Sequence, residues 1–480
     1  MSELNNRVAN ATKWSAITEM VAKLVTPITS MVLARLLTPE AFGVVATLTM
    51  VISFAELFTD AGFQKYLVQH EFKDDKERDE HTNVAFWSNF ILSMFLWGII
   101  AVFSKSIATL VGNPGLNHVL IIACVGIPIA AFSSIQMALY RRDLNFKMLF
   151  KVRIVSVLIP LFITIPLAYW LRSYWALILG SLTQQIANAV LLTVFSNWKP
   201  RLFYSFRALK EMLSFTLWSL FEAISIWLTG YIDIFIVGTT LSAYYLGLYT
   251  TSSTVVGQII GMITAAITPV LFSSLSRLQS DKKEFDNMFY RFQKLVAFIV
   301  VPISFLVFCF SDFITEILLG DQWTEAAGFI GLWGLTSGVT IVLSHFSSEV
   351  FRAKGLPKIS VLAQWLHILA LWPTVLIAVN YGFTTLYIAR CIVRIELIVV
   401  NVILMVIFIK MSASRMILNV LPSCIASSAM LLLFLLPWPN GLFMTILYVL
   451  VSLMVYFIVI MLFPSERDVL KNLKHYLLKR

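Results

Sequence analysis

Residues 387–404 read YIARCIVRIELIVVNVIL, a run that would dissolve in hydrocarbon but for Arg390, Arg394 and Glu396. A charge at the centre of a bilayer costs roughly 2.5–3.5 kcal/mol on insertion scales, so a chain keeps such groups only where they pair or work. Arg390 and Arg394 are four residues apart and share one helical face. Glu396 lies roughly 200° around the helix from Arg394 and needs a different partner. Lys23 follows Glu19 in the favourable i, i+4 order for an ion pair inside an apolar run. Glu56, Asp60 and Glu222 are further carboxylates in apolar runs, and a carboxylate in hydrocarbon is a candidate proton or cation carrier. Glu222 is placed nearest mid-membrane; Asp60 stands near a span end, where a gate or helix-end partner is the plainer role. Asp233, near the outer end of the seventh span, and Arg35, just outside the first, form a candidate outer gate pair. His345 and His367 are single histidines in spans, which serve packing more often than proton relay.

These residues must be positioned by elements that tolerate lipid. Hydrophobic residues make up 59% of the chain, charged residues 13%, and the mean hydropathy is +0.84. Soluble domains carry about 25% charged residues. The apolar runs are continuous and near 20 residues long, the length of a membrane-spanning helix, whereas barrel strands alternate over about 10. The expected class is an all-α polytopic membrane protein. Fourteen spans are predicted: 14–34, 41–63, 84–104, 118–139, 152–171, 174–197, 212–236, 243–272, 292–311, 325–350, 359–379, 384–409, 416–436 and 441–463. The polar start, MSELNNRVANATKW, reads as the approach to an uncleaved first span, not a signal peptide.

The cations orient this array. With the N-terminus in the cytoplasm, 30 of the 36 lysines and arginines fall on the cytoplasmic side. Only Arg35, Lys105 and Arg172 fall outside, and Lys23, Arg390 and Arg394 lie within spans. The positive-inside rule then puts both termini in the cytoplasm. The net charge of +10 faces the anionic inner leaflet and calls for no nucleic acid. Segment 64–82, which mixes six acids with four bases, and the basic segments 204–213, 281–295 and 466–480 are amphipathic and read as interfacial helices. Outer loops are too short for a catalytic domain, which argues against an enzyme. Cys124, Cys309, Cys391 and Cys424 stand singly with no metal-ligand or CxxC spacing, so they read as core.

LTPEAFGVVA (37–46) follows the first span and LSAYYLGLYT (241–250) the seventh, pairing Leu37 with Leu241 and Gly43 with Gly247 at an offset of 204. YRRDLNFK (140–147) and FRAKGLPK (351–358) match at an offset of 211. Both matches lie six spans apart, which predicts a parallel repeat. The expected divisions are an N-terminal lobe at 1–200, a C-terminal lobe at 201–410, and two extra spans with a basic tail at 411–480.

With this layout, ARLLTPEAFGVVA (34–46) and FTDAGFQKYLVQ (58–69) resemble the polysaccharide transporter family of the multidrug/oligosaccharidyl-lipid/polysaccharide (MOP) flippase superfamily, nearest its lipopolysaccharide and exopolysaccharide flippases. The resemblance covers the whole chain. It implies a V-shaped, two-lobed transporter of a bacterial inner membrane that flips an undecaprenyl-pyrophosphate-linked oligosaccharide by alternating access. It implies a proton or Na⁺ gradient rather than a cofactor, and no GxxxxGK[ST] is present. Implied partners are the lipid-linked oligosaccharide, membrane lipids, a polysaccharide polymerase and a chain-length regulator. Pyrophosphate suits the planar forks of Arg390 and Arg394, though pairing with acids or snorkelling to headgroups remains open. Lys23 is a further phosphate or coupling candidate beside Glu19. Gln184 and Asn188 share a face that suits sugars or interhelical hydrogen bonds, and Trp218 and Trp227 are candidates to line the cleft. Glu222 and Glu56 are the coupling candidates. A multidrug or cation exporter of the same superfamily, a flippase for the peptidoglycan lipid precursor, and a membrane-embedded ligase or polymerase stand as alternatives.

Overall fold

The computed structural model describes residues 2–60, 62–435, 441–464 and 466–467; the side chains of Asp60, Trp218 and Glu222 lie outside the described residues. Every regular element among the described residues is helical. Among the described residues, fourteen helices are long and apolar enough to cross a membrane: α1 Lys13–Leu36, α2 Pro39–Thr59, α3 Asp75–Val102, α4 Asn117–Arg142, α5 Phe146–Leu171, α6 Trp175–Phe195 and α7 Ala223–Thr240. Then follow α8 Ala243–Thr264, α9 Lys282–Cys309, α10 Asp321–Ala353, α11 Lys358–Tyr381, α12 Phe383–Ile409, α13 Ala413–Leu431 and α14 Leu442–Ile460. The all-α, fourteen-span expectation is met.

The helix starts are written in local chemistry. The Asp74 carboxylate accepts from the Glu77 amide at 2.7 Å, and Glu77 accepts from the Lys73 amide at 2.6 Å, a reciprocal cap that begins α3 well before its apolar run. Ser205 caps the helix Phe206–Thr240 by accepting from Ala208, and Asp281 caps α9 by accepting from Glu284. The amphipathic segments before α7 and α9, expected as interfacial helices that enter the spans, run unbroken into them. Neither FRALKEML nor KKEFDNMFYRFQKL contains the Gly or Pro that would end a helix. In the 64–82 segment, Gly62 precedes a short helix, Phe63–Gln69, which ends in extended backbone at His70.

Contacts divide the chain into two compact units, Met1–Thr250 and Thr251–Arg480. The first has a core of Val44, Leu48, Ile100, Leu120 and Ile127 from α2, α3 and α4. In it, the starts of α2 and α8 meet where Gly43 and Gly247 leave room for backbone. In the second, Phe298 of α9 packs on Met430 and Tyr456 of α13 and α14, and the Tyr456 hydroxyl donates to the Phe298 carbonyl at 2.9 Å. All four cysteines are free and lie buried or half-buried in helices.

Candidate substrate-binding sites

In the second unit the site grows from the sequence GLWGLTSG (331–338) of α10. Its glycines pack on α9: a Cβ on Gly334 would lie 2.4 Å from Val307 Cγ1, and one on Gly338 would lie 2.0 Å from Ser304 Oγ. With that face given to close packing, Trp333, Thr336 and Ser337 meet α12. The Arg394 guanidinium carbon sits 3.3 Å from the Trp333 ring centroid and that of Arg390 sits 4.9 Å from it. Arg394 Nη1 also donates to Thr336 Oγ1 at 3.3 Å, to the Trp333 carbonyl at 3.4 Å and to Ser337 Oγ. A guanidinium on an indole face gains about 2 kcal/mol or more when desolvated.

Beyond Thr340 the helix widens into a π turn over Ile341–His345, a device common at functional sites. Arg394, Trp333, Ser337, Thr340, Ser344 and His345 wall a cavity of about 390 Å³. That volume suits one polar headgroup. A hydroxyl-lined, guanidinium-bearing cavity can hold an oxyanion. Glu396, on the other flank of α12, lies with Oε2 2.8 Å from Nδ1 of buried His367 on α11. The two ionisable groups thus answer one another, and Glu396 has the separate partner that its place on the helix demands.

The first unit holds a cavity of about 660 Å³. Glu56 of α2, Lys65 of the short helix, Arg141 of α4, and Gln185 and Asn188 of α6 are in its wall. Arg141 Nη1 donates to Gln64 Oε1 at 3.4 Å, and Asn188 Oδ1 accepts from Ser156 Oγ. Trp227 donates to Ser53 Oγ at 3.0 Å beside the cavity, and its indole stacks on Tyr231 with centroids 5.2 Å apart. An acid, two cations and two amides make a hydrophilic space inside a lipid-soluble chain.

The short helix is clamped. Arg142 Nη1 donates to the carbonyls of Leu67 and His70 at 2.7 and 2.6 Å. Tyr66 stacks on His70 at 4.5 Å and on His81 at 6.0 Å. His81 Nε2 lies 3.3 Å from Glu211 Oε2, and Arg207 Nε lies 3.2 Å from Glu211 Oε1. The hydrogen bonds from His81 and Arg207 hold the Glu211 carboxyl below its ordinary range. Burial, with Glu211 and Glu77 nearby, pushes the Tyr66 phenol up to about 12.

Of the remaining residues singled out by sequence, Glu19 is exposed and Lys23 half-buried on α1, and no ion pair joins them among the described residues. Gln184 is half-buried on α6, while its neighbour Gln185 is the amide that shares the cavity wall with Asn188. Asp233 is buried and accepts from the Tyr249 hydroxyl at 2.7 Å; Arg35 is exposed. Asp60, Trp218 and Glu222 fall outside the described side chains. Sequence reasoning missed Trp333, Ser337, Gln64, Lys65 and Arg141. The signal for the first two was a Trp and hydroxyls alternating with glycines at helical spacing. For Gln64 and Lys65 it was Gly62, which interrupts the apolar run just before these polar residues.

The sequence family described as "Polysaccharide biosynthesis protein" matches residues 32–328. The succinoglycan biosynthesis transport protein ExoT of Rhizobium meliloti (strain 1021) is 24% identical over 371 residues, 77% of this chain and 73% of that one. The lipopolysaccharide biosynthesis protein WzxC of Escherichia coli (strain K12) is 21% identical over 324 residues, 67% of this chain and 65% of that one. Among solved structures, the lipid II flippase MurJ in an inward closed conformation aligns with a TM-score of 0.73 at 14% identity, covering 95% of this chain and 99% of that chain. An inward-facing MATE family transporter of the MOP superfamily aligns with a TM-score of 0.58 at 13% identity, covering 87% and 98%. The likenesses to these solved structures carry the fold. With a family match over residues 32–328, the chain, whose described residues include fourteen helices long and apolar enough to cross a membrane, belongs to the polysaccharide biosynthesis protein family.

Proposed function

We propose that the protein is a flippase that moves an undecaprenyl-pyrophosphate-linked oligosaccharide repeat unit across a bacterial inner membrane by ion-coupled alternating access. The observation that carries this reading is Arg394 in the wall of a hydroxyl-lined cavity, sharing the Trp333 ring with Arg390. Pyrophosphate is the part of such a substrate that hydrocarbon resists most, and guanidinium forks match its oxygens. Hydroxyls and indole faces suit the sugars. The names of ExoT and WzxC, which concern succinoglycan and lipopolysaccharide biosynthesis, support a glycan cargo here.

Lobes at 1–200 and 201–410 rock about the midplane while 411–480 lies outside the moving pair, and both termini stay cytoplasmic. Glu56, in the polar cavity of the first unit, and Glu222 take up a proton or Na⁺ to reset the cycle. Lys23, Gln184, Asn188 and Trp218 are further substrate contacts, Glu19 a further coupling group, and Asp60, Asp233 and Arg35 gate residues. A polymerase and a chain-length regulator receive the flipped unit. The cation pair disfavours an exporter of organic cations, whose cavity would repel its cargo.

The test is complementation of a flippase-null strain with Arg390→Ala, Arg394→Ala and the double variant, at matched membrane levels. Surface polysaccharide is expected to be lost, with lipid-linked oligosaccharide accumulating in the inner leaflet. Full restoration by the double variant would remove the pyrophosphate role. Efflux of a fluorescent cation by the wild type would favour the exporter instead.

A further inference from the structure

We propose that the first unit carries a binding site for an aminophospholipid, with a headgroup bearing both a phosphate and a primary ammonium. The site is separate from both cavities described above. It combines a polar pocket and an apolar groove that adjoin along α4 and meet at the end of α6.

The pocket, about 360 Å³, lies between the start of α3, the end of α4 and the residues after α6. Its wall carries both signs: Arg78, Lys199 and Arg201 against Asp79 and Asp143. Arg78 is matched by Asp75 at 3.1 Å and Asp79 at 3.8 Å. Lys199 is held instead by main chain, its ammonium donating to the carbonyls of Thr193 and Val194 at the end of α6. Neither Lys199 nor Arg201 has a carboxylate within ion-pair distance among the described residues. Two buried polar atoms of the wall are also unpartnered: Oε1 of Gln136, a residue 0% exposed, and Nε1 of Trp198. Buried polar atoms nearly always find a partner, so each asks for one. Nε1 is a donor and suits a phosphate oxygen beside Lys199 and Arg201. Oε1 is an acceptor and suits an N–H of an ammonium beside Asp79 and Asp143. A pocket of mixed charge with an orphan donor and an orphan acceptor fits a zwitterion that can both accept and donate.

The groove, about 530 Å³, is lined by Phe90, Pro128 and Phe132 with Ile186, Val190 and Val194. Ile186, Val190 and Val194 are 49%, 53% and 65% exposed. On α4, Phe132, Gln136 and Tyr140 succeed one another at i, i+4 and i+8, the first in the groove and the others in the pocket. The Gln136 amide donates to Thr193 Oγ1 at 3.5 Å across the seam, and Lys199 sits at the same junction through Thr193 and Val194. From Ile186 to Val194 the groove runs about 12 Å along α6, enough for much of an acyl chain. An apolar channel that ends at a charged pocket matches a lipid end to end; a partner helix would leave the orphan polar atoms unanswered.

The test uses the full-length protein in detergent, titrated with phosphatidylethanolamine, phosphatidylcholine and phosphatidylglycerol of equal chain length, with bound lipid counted by native mass spectrometry. Phosphatidylethanolamine is expected to be retained several-fold over phosphatidylcholine, which has no N–H, and over phosphatidylglycerol. The double variant Lys199→Ala/Arg201→Ala removes both cations and should lower that retention at least tenfold. Val190→Trp, at an exposed position that fills the groove, should do the same. Soluble phosphoethanolamine should fail to strip the bound lipid. Equal retention of the three lipids, or unchanged retention in both variants, overturns the site; stripping by phosphoethanolamine overturns the part played by the groove and with it the lipid.

Discussion

Gly43 and Gly247 occupy the two sides of one reciprocal contact. A Cβ on Gly43 would lie 1.8 Å from the Ala243 carbonyl oxygen, and a Cβ on Gly247 would lie 1.8 Å from the Pro39 carbonyl oxygen. Residues 39 and 243 are separated by 204 positions, and so are 43 and 247. Each helix start therefore meets the other as its own image, the local geometry of a two-fold relation between α2 and α8. Either glycine replaced by alanine must push backbone aside, because a carbonyl cannot swing away like a side-chain tip. Gly43→Ala and Gly247→Ala are each expected to lose about 1–3 kcal/mol, read as a fall in the thermal midpoint of the purified protein. Gly98, with nothing within 4 Å of its would-be Cβ, is the control, and Gly98→Ala should hold or raise the midpoint.

Trp333 is the platform for both arginines, so its removal should act on them together. Trp333→Ala is expected to cut complementation in the flippase-null strain at least as deeply as Arg394→Ala, with Trp333→Phe intermediate because a phenyl face attracts a cation less. Equal activity of all three variants with wild type would separate the ring from transport.

The Glu396–His367 contact calls for a double-mutant cycle. Glu396→Gln and His367→Asn should each destabilise, and the double variant should cost less than their sum by about 0.5–3 kcal/mol, the range for directly bonded neighbours. Simple additivity in detergent unfolding would mean that the 2.8 Å contact contributes nothing.

Acidification should loosen the clamp on the short helix Phe63–Gln69. The Glu211 carboxyl is held below its ordinary value by its hydrogen bonds to His81 and Arg207. A depressed carboxyl contributes stability that is present above the unfolded value, near 4.3, and is lost as pH falls through the folded one. The thermal midpoint of the wild type should therefore fall over that acidic window, and Glu211→Gln should flatten this part of the profile. An unchanged profile in the variant would assign the acid sensitivity elsewhere.

Much of the architecture was legible because bilayer-spanning helices announce themselves by length and apolarity; even the Ser-, Thr- and Gly-rich α2, α8 and α10 emerged at their expected places. Arg390, Arg394 and Glu396 were legible for the same reason, since charge in an apolar run has few uses. What surrounds them was not. Trp333 and Ser337 look like ordinary span residues until the Gly334 and Gly338 contacts with α9 fix which face of α10 remains. Helix ends were misjudged at α3, α7 and α9 because Asp74, Ser205 and Asp281 cap polar turns that hydropathy assigns to loops. Gln185 was passed over for Gln184 because an i, i+4 pair with Asn188 was sought, whereas positions three apart also share a face.

The wide turn at Ile341–His345 makes the number of residues in α10 a functional quantity. Removing one residue there would restore a regular hydrogen-bond ladder and leave composition almost untouched. Within the turn itself, side chains would step by one position, about 100° about the helix axis, against α9 and α12. Ser344 and His345 would no longer stand in line with Trp333 and Ser337, and one wall of the cavity would open. The same cavity thus discriminates against a one-residue deletion more sharply than against many substitutions, so indels in this turn should be read as losses of register rather than as trimming.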